Sequence, residues 1–131
     1  METFDVRTSA FNEYVDITPE VRRIVGESGV AEGTATVYCP HTTGAITINE
    51  NADPSVKRDV LTKLADLVPR HGDYHHAEGN SDAHIKSILT GASEQIPVSG
   101  GRLVLGTWQG IFFCEYDGPR SRRVHVTVTG E

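Results

Sequence analysis

The sequence predicts an α+β fold: an antiparallel, sandwich-like β-sheet in one domain spanning residues 1–131, with helices covering a sheet face. Three observations lead there. Short runs of β-favouring residues alternate with period two, most plainly where Val124, Val126 and Val128 intervene between Arg123, His125 and Thr127. Only a few helical stretches separate these runs, and the strongest begins at Asp53-Pro54. A chain of 131 residues, 37% hydrophobic and 23% charged, suits one buried core and is too short for two ordinary ones.

Taken in order, Thr3 to Thr8 and Tyr14 to Ile17 read as short strands. Thr18-Pro19 is a helix start, with Thr18 as the capping residue, and the helix from Pro19 turns Val21, Ile24 and Val25 inward until Gly29 stops it. Gly33 to Cys39 places Ala35, Val37 and Cys39 on one face, and Pro40 ends that strand. Thr43 to Asn49 puts Ile46 and Ile48 on one face and a small, polar set, Thr43, Ala45, Thr47 and Asn49, on the other, which suits a ligand pocket or a subunit contact. Asp53 caps a helix whose inward stripe is Val56, Val60, Leu61, Leu64, Leu67 and Val68. Pro69 to Asn80 is a long polar loop. A second covering helix starts at Ser81-Asp82 with Ile85, Ile88 and Leu89 inward and ends at Gly91. Four β-like runs complete the chain: Glu94 to Val98, Arg102 to Leu105, Ile111 to Tyr116 and Arg123 to Thr129.

Twelve Lys and Arg against eighteen Asp and Glu leave a formal charge of −6, which repels a phosphate backbone and argues against nucleic acid as a partner. The opening residues METFDVRTSA lack the features of a signal peptide, and no apolar run is long enough to span a bilayer, so a cytoplasmic location without membrane association is expected. Cys39 and Cys114 lie far apart among β-favouring neighbours and read as reduced core residues.

Chemistry-bearing residues concentrate in three places. His71, His75, His76 and His84 fall within fourteen residues beside Asp73, Glu78 and Asp82, and His41 precedes Thr42 and Thr43. Imidazole and carboxylate are the ligand set for zinc, iron or manganese, although no HExxH or finger spacing is present. His71 and His75 read as exposed loop residues. His84 stands in the first turn of its helix, where the positive dipole end favours a neutral, ligating ring. The amides from Asn80 to Ala83, with Lys86 one turn on, form a candidate phosphate site. Gly106 to Gly110 carries Trp108 and Gln109 in a turn that serves equally as a stacking platform or as plain structure, and Arg120 and Arg122 supply guanidinium groups for phosphate.

Across HTTGAITINENADPSVKRDV (residues 41–60), GDYHHAEGNSDAHIKSILTG (72–91), IPVSGGRLVLGTWQGIFFCEYDGPRSRR (96–123) and the closing TGE, the chain resembles the YjbQ-like family, small proteins also called secondary thiamine-phosphate synthases. The resemblance implies a homotrimeric α+β protein with polar pockets near the subunit boundaries. It singles out His41, Asn49, Glu50, Asp53, His76, Glu78, His84, Lys86, Gly106, Thr107, Trp108, Gln109 and Arg122. It also implies a synthase, a transferase joining a pyrimidine diphosphate to a thiazole phosphate with loss of diphosphate.

On that reading His41, His76 and His84 hold a divalent metal, zinc or magnesium, and Glu78 or Asp82 assists catalysis by orienting a ligand. Lys86, Arg120 and Arg122 take the phosphates, Trp108 stacks on a ring, and Asn49, Glu50 and Gln109 bind the substrate. Two other readings use the same pocket: a trimeric protein that captures a metal or small anion without turnover, and a metal-dependent hydrolase.

Overall fold

A computed structural model describes all residues 1–131, in the order β1 (Glu2–Arg7), β2 (Glu13–Asp16), α1 (Thr18–Glu27), β3 (Gly33–Tyr38), β4 (Gly44–Glu50), α2 (Pro54–Leu67), α3 (Ser81–Thr90), β5 (Ser93–Ser99), β6 (Arg102–Leu103), β7 (Gln109–Glu115) and β8 (Ser121–Gly130). The strands form two antiparallel sheets, one ordered β1-β8-β3-β5-β6 and one ordered β2-β7-β4. The expected mixed α+β architecture is therefore present.

The alternation in the sequence explains the core. Ala35 and Val37 of β3, Val124 and Val126 of β8, Ile46 of β4 and Ile111 and Phe113 of β7 meet between the sheets, joined by Val21, Ile24 and Val25 of α1. Burying an aliphatic side chain of this size contributes about 1.5–3 kcal/mol. The other face of β7 carries Cys114, which joins Tyr116, Ala45 and Ala83 in a smaller cluster beneath α3. Both cysteines are free and buried, as their surroundings in the sequence suggested.

Several local expectations are corrected. Thr18 is the first residue of α1 and does not cap it; Asp16 Oδ1 instead accepts from Thr18 N and Oγ1 at 3.0 and 2.6 Å. Thr18 Oγ1 is turned to β7, where it accepts the Ile111 amide at 2.8 Å. β6 stops at Leu103. Asp53 does cap α2, accepting from Ser55 N at 2.9 Å, but no residue of that helix is fully buried: Val60, Leu61 and Leu64 are half-covered and Leu67 faces out.

The largest correction is α3, which is turned opposite to expectation. Ile88 and Leu89 are 82% and 64% exposed, whereas Asp82, Ala83, Lys86 and Ser87 face inward. Ala83 lets the helix sit close on Ala45 and Cys114, a close approach that the larger isoleucines would prevent. Lys86 Nζ then lies 3.7 Å from Asp82 Oδ2 and, with the Asn12 amide oriented to satisfy its neighbours, 3.0 Å from Asn12 Oδ1. Burial pulls the Lys86 amine below its usual range, opposed by the Asp82 carboxylate.

The sheets are tied at one end by a buried ion pair. Arg122 of β8 donates from Nε to Glu115 Oε1 at 2.8 Å and from Nη2 to Oε2, and Nη2 also donates to Thr43 Oγ1 at 2.9 Å. Thr8 Oγ1 and the Asp117 amide complete the carboxylate's partners at 2.8 and 2.9 Å. Burial alone would raise the Glu115 carboxyl, but hydrogen bonds from Arg122, Asp117 and Thr8 outweigh it and hold it below the usual range.

Glu115→Gln and Arg122→Met are each expected to destabilise the fold by about 3–5 kcal/mol, because either leaves a buried charge without its partner. Because the Glu115 value is lowered by folding, its contribution is complete above the ordinary glutamate range, about 4.3, and fades as pH falls through the folded-state value. Urea midpoints measured across that range should show a steeper acid loss in the parent than in Glu115→Gln. For α3, Ala83→Leu should cost about 1–3 kcal/mol by overpacking, read as a lowered thermal midpoint.

Candidate functional site

Beside this ion pair lies a cleft of about 400 Å³ with no hydrophobic residue in its lining. Its walls come from three segments: the Pro40–Thr43 turn after β3, the loop and helix start carrying His76, Glu78, Asn80 and His84, and the β7–β8 connection with Asp117, Arg120 and Arg122. The segments are held by the buried pair and its neighbours. Thr43 O accepts from the Tyr116 amide at 3.1 Å and from Arg122 Nη2 at 3.3 Å, which fixes the His41 turn. Asp117 Oδ2 accepts from Asn80 Nδ2 and Arg120 Nη2, each at 2.8 Å, which fixes the start of α3.

All three histidines assigned to a metal line this cleft, but they do not play one role. His76 and His84 face each other edge-on, 88° apart, with ring centres separated by 5.4 Å. Two imidazoles sharing a tetrahedral zinc, with each nitrogen about 2.1 Å away, have ring centres about 5 Å apart. The pair is thus spaced for a shared ion. His41 is different: its Nε2 accepts the Arg123 amide at 2.9 Å. Burial and the Arg122 charge hold its pKa below the ordinary value, favouring a neutral ring. No group of three His, Cys, Asp or Glu side chains stands together as a metal site, and of the three histidines only His76 and His84 have their rings paired with each other.

The remaining assignments divide sharply. Glu78 lines the cleft, but Asp82 is fully buried beside Lys86 and cannot orient a ligand there. Lys86, itself 1% exposed, is withdrawn from any phosphate at the helix start. Arg120 and Arg122 border the cleft, yet each is already paired with a carboxylate, Asp117 and Glu115. Asn49, Glu50, Trp108 and Gln109 gather at the far end of β4 and β7, where Glu50 pairs with Gln109. The six steps from Gly44 to Glu50 span roughly 20 Å of extended strand, at about 3.3 Å each, so these side chains do not share the histidine cleft of the same chain. Gln109 closes its own turn, its Oε1 accepting from the Gly106 amide at 2.7 Å. Trp108 is 64% exposed, neither a core residue nor a wall of the cleft.

Sequence reasoning missed Asp117 and Glu115, and for Asn80 it named the backbone amide and not the side chain; all three shape the cleft. A usable signal was present: Glu115 closes the apolar run of β7, and Arg122 falls on the same alternate positions of β8 as Val124 and Val126. His84 also lines two neighbouring, less polar clefts, one with Ser87 and Ile88 and one with Tyr74 and Ile85.

Comparison with known proteins gives a consistent picture. The chain is 52% identical to UPF0047 protein MJ1081 of Methanocaldococcus jannaschii over 98% of its own length and 93% of the relative's. It is 49% identical to UPF0047 protein YugU of Bacillus subtilis over 99% of both chains. A crystal structure from Clostridium acetobutylicum, 53% identical, superposes with a TM-score of 0.97 over 98% of this chain and 100% of that one. Another from Sulfolobus solfataricus, 37% identical, gives 0.96 over 99% and 96% and is described as a YbjQ-like protein of unknown function. The expected thiamine-phosphate synthase role is therefore corrected: these relatives are named only as UPF0047 or YjbQ proteins of unknown function. Within one chain, Trp108 and Asn49 stand at the other end of β4 and β7 from the histidines, and Arg120 and Arg122 are paired with carboxylates. With residues 2–131 matching the family described as UPF0047 protein YjbQ-like, the chain belongs to that family.

Proposed function

We propose that the protein binds a divalent transition-metal ion through His76 and His84 at the wall of the polar cleft. The observation that carries this reading is the edge-on histidine pair at 5.4 Å. Neither ring is occupied by a hydrogen bond to the chain, in contrast to His41 and His125. Paired imidazoles favour zinc, iron, manganese or nickel, whereas magnesium calls for oxygen ligands, so magnesium is set aside. Glu78 lies in the same lining and can hydrogen-bond a metal-bound water. Such an ion would supply Lewis acidity and open coordination positions; the chain supplies the polar walls that orient what fills them.

A homotrimer belongs to the same proposal. Support comes from the outward Ile88 and Leu89 of α3 and from Leu67 of α2, large apolar side chains that a partner surface would cover. Two buried free cysteines fit a reducing, cytoplasmic compartment, and no helix is long and apolar enough to cross a membrane.

Metal content after loading with zinc, with competition by a chelator, tests the central reading. His76→Ala and His84→Ala should each lower zinc affinity by at least about tenfold, and His71→Ala should not. Affinity should also fall in acid, because only unprotonated imidazole binds the ion. Unaltered zinc binding in both variants would remove the assignment. Light scattering on the parent tests the trimer.

A further inference from the structure

We infer that His41 serves the cleft as a fixed hydrogen-bond donor, offering Nδ1–H to an oxyanion of the bound ligand, and is not a metal ligand. This rests on the His76–His84 reading for where the ion sits, but its chemistry is argued separately. β8 extends from Ser121, whereas its neighbour β3 ends at Tyr38, opposite His125. Beyond that point β8 is flanked only by β1, its other edge has no strand beside it, and the Arg123 amide on that edge would lack a partner. The His41 ring takes the place of the missing strand, and its Nε2 accepts that amide at 2.9 Å.

The consequence is chemical. A neutral imidazole has one nitrogen with a free lone pair and one with a proton. The Arg123 N–H occupies the lone pair of Nε2, so the proton is on Nδ1 and no lone pair is left for a metal. The ring is held edge-on to Phe113, with centres 6.3 Å apart, which limits its rotation.

Donors predominate on the wall where His41 stands, and its one carboxylate, Asp117, already accepts from Asn80 and Arg120 through Oδ2. Arg120 engages Asp117 through Nε and Nη2, and Arg122 engages Glu115 and Thr43 through the same two nitrogens, leaving Nη1 of each free of partners in the chain. Thr42 adds an exposed hydroxyl. The free Nη1 groups and the His41 Nδ1–H favour a ligand that brings acceptors, as a carboxylate or phosphate oxygen does. The facing wall offers the lone pairs of His76 and His84. The class of molecule that satisfies both walls is a small oxyanion, coordinated to the ion on one side and hydrogen-bonded by His41 on the other.

Long-range proton–nitrogen NMR spectra of the full chain, recorded without and with saturating zinc, read the tautomer directly. The expected result is a protonated Nδ1 and an acceptor Nε2 in His41 under both conditions. A protonated Nε2, or a His41 nitrogen that moves to a metal-bound position when zinc is added, overturns the inference. Inorganic phosphate and acetate then serve as probes, titrated calorimetrically with and without zinc. His41→Phe should weaken the better of the two by roughly 10- to 100-fold, the loss of one hydrogen bond to a charged group. His41→Asn, whose amide stands where Nδ1–H does, should recover part of that loss. Zinc affinity should stay unchanged in both variants. Unaltered anion affinity in a folded His41→Phe, loss of zinc from it, or no binding of either anion by the parent would each overturn the donor role. If zinc binds nowhere, the histidine-pair reading fails alone, and the tautomer and zinc-free anion titrations still decide this one.

Discussion

The Arg122–Glu115 pair is the interaction on which the rest of the site depends. Two charges removed from water cost several kcal/mol each and are tolerated only where every polar atom finds a partner. Glu115 meets that condition with donors on both oxygens, from Arg122, Thr8 and the Asp117 amide. Because Arg122 belongs to the five-stranded sheet and Glu115 to the three-stranded one, the pair also sets how the sheets meet at that end. Its hydrogen bonds extend into both walls of the cleft, through Thr43 to the His41 turn and through Asp117 to Asn80 at the start of α3.

That arrangement makes the cleft polar without making it strongly charged. The guanidinium groups of Arg120 and Arg122 are offset by Asp117 and Glu115, and the His41 ring is held neutral. What distinguishes one wall from the other is engagement: the His41 ring accepts the Arg123 amide, whereas the paired His76 and His84 rings have no hydrogen bond to the chain. The same separation of roles explains why a group of histidines on similar loops need not form one coordination sphere.

Much of the fold was legible because period-two alternation reports directly on which side of a strand is buried. β3, β8 and the capped start of α2 follow from that rule and from the oxygen of Asp53. α3 did not follow. Its large apolar residues mark an apolar stripe, but a stripe does not say what it packs against. The close fit of Ala83 on Ala45 and Cys114 turned the helix the other way and carried Lys86 and Asp82 inside. A helix-start phosphate site that relied on Lys86 was lost with that rotation.

By itself the sequence determined the mixed architecture, the reduced cysteines, the family resemblance and the segments bearing His41, His76 and His84, since each depends on residue identity and local spacing. Only the tertiary structure decided which of those residues meet. The length of β4 placed Asn49 and Glu50 far from His41 although both lie in one motif. The end of β3 left the Arg123 amide for His41 Nε2 to accept, which engages one ring nitrogen of a candidate ligand. Proximity and ring-nitrogen roles are set by strand register and by which backbone groups lack partners, and neither is written in the local pattern of side chains.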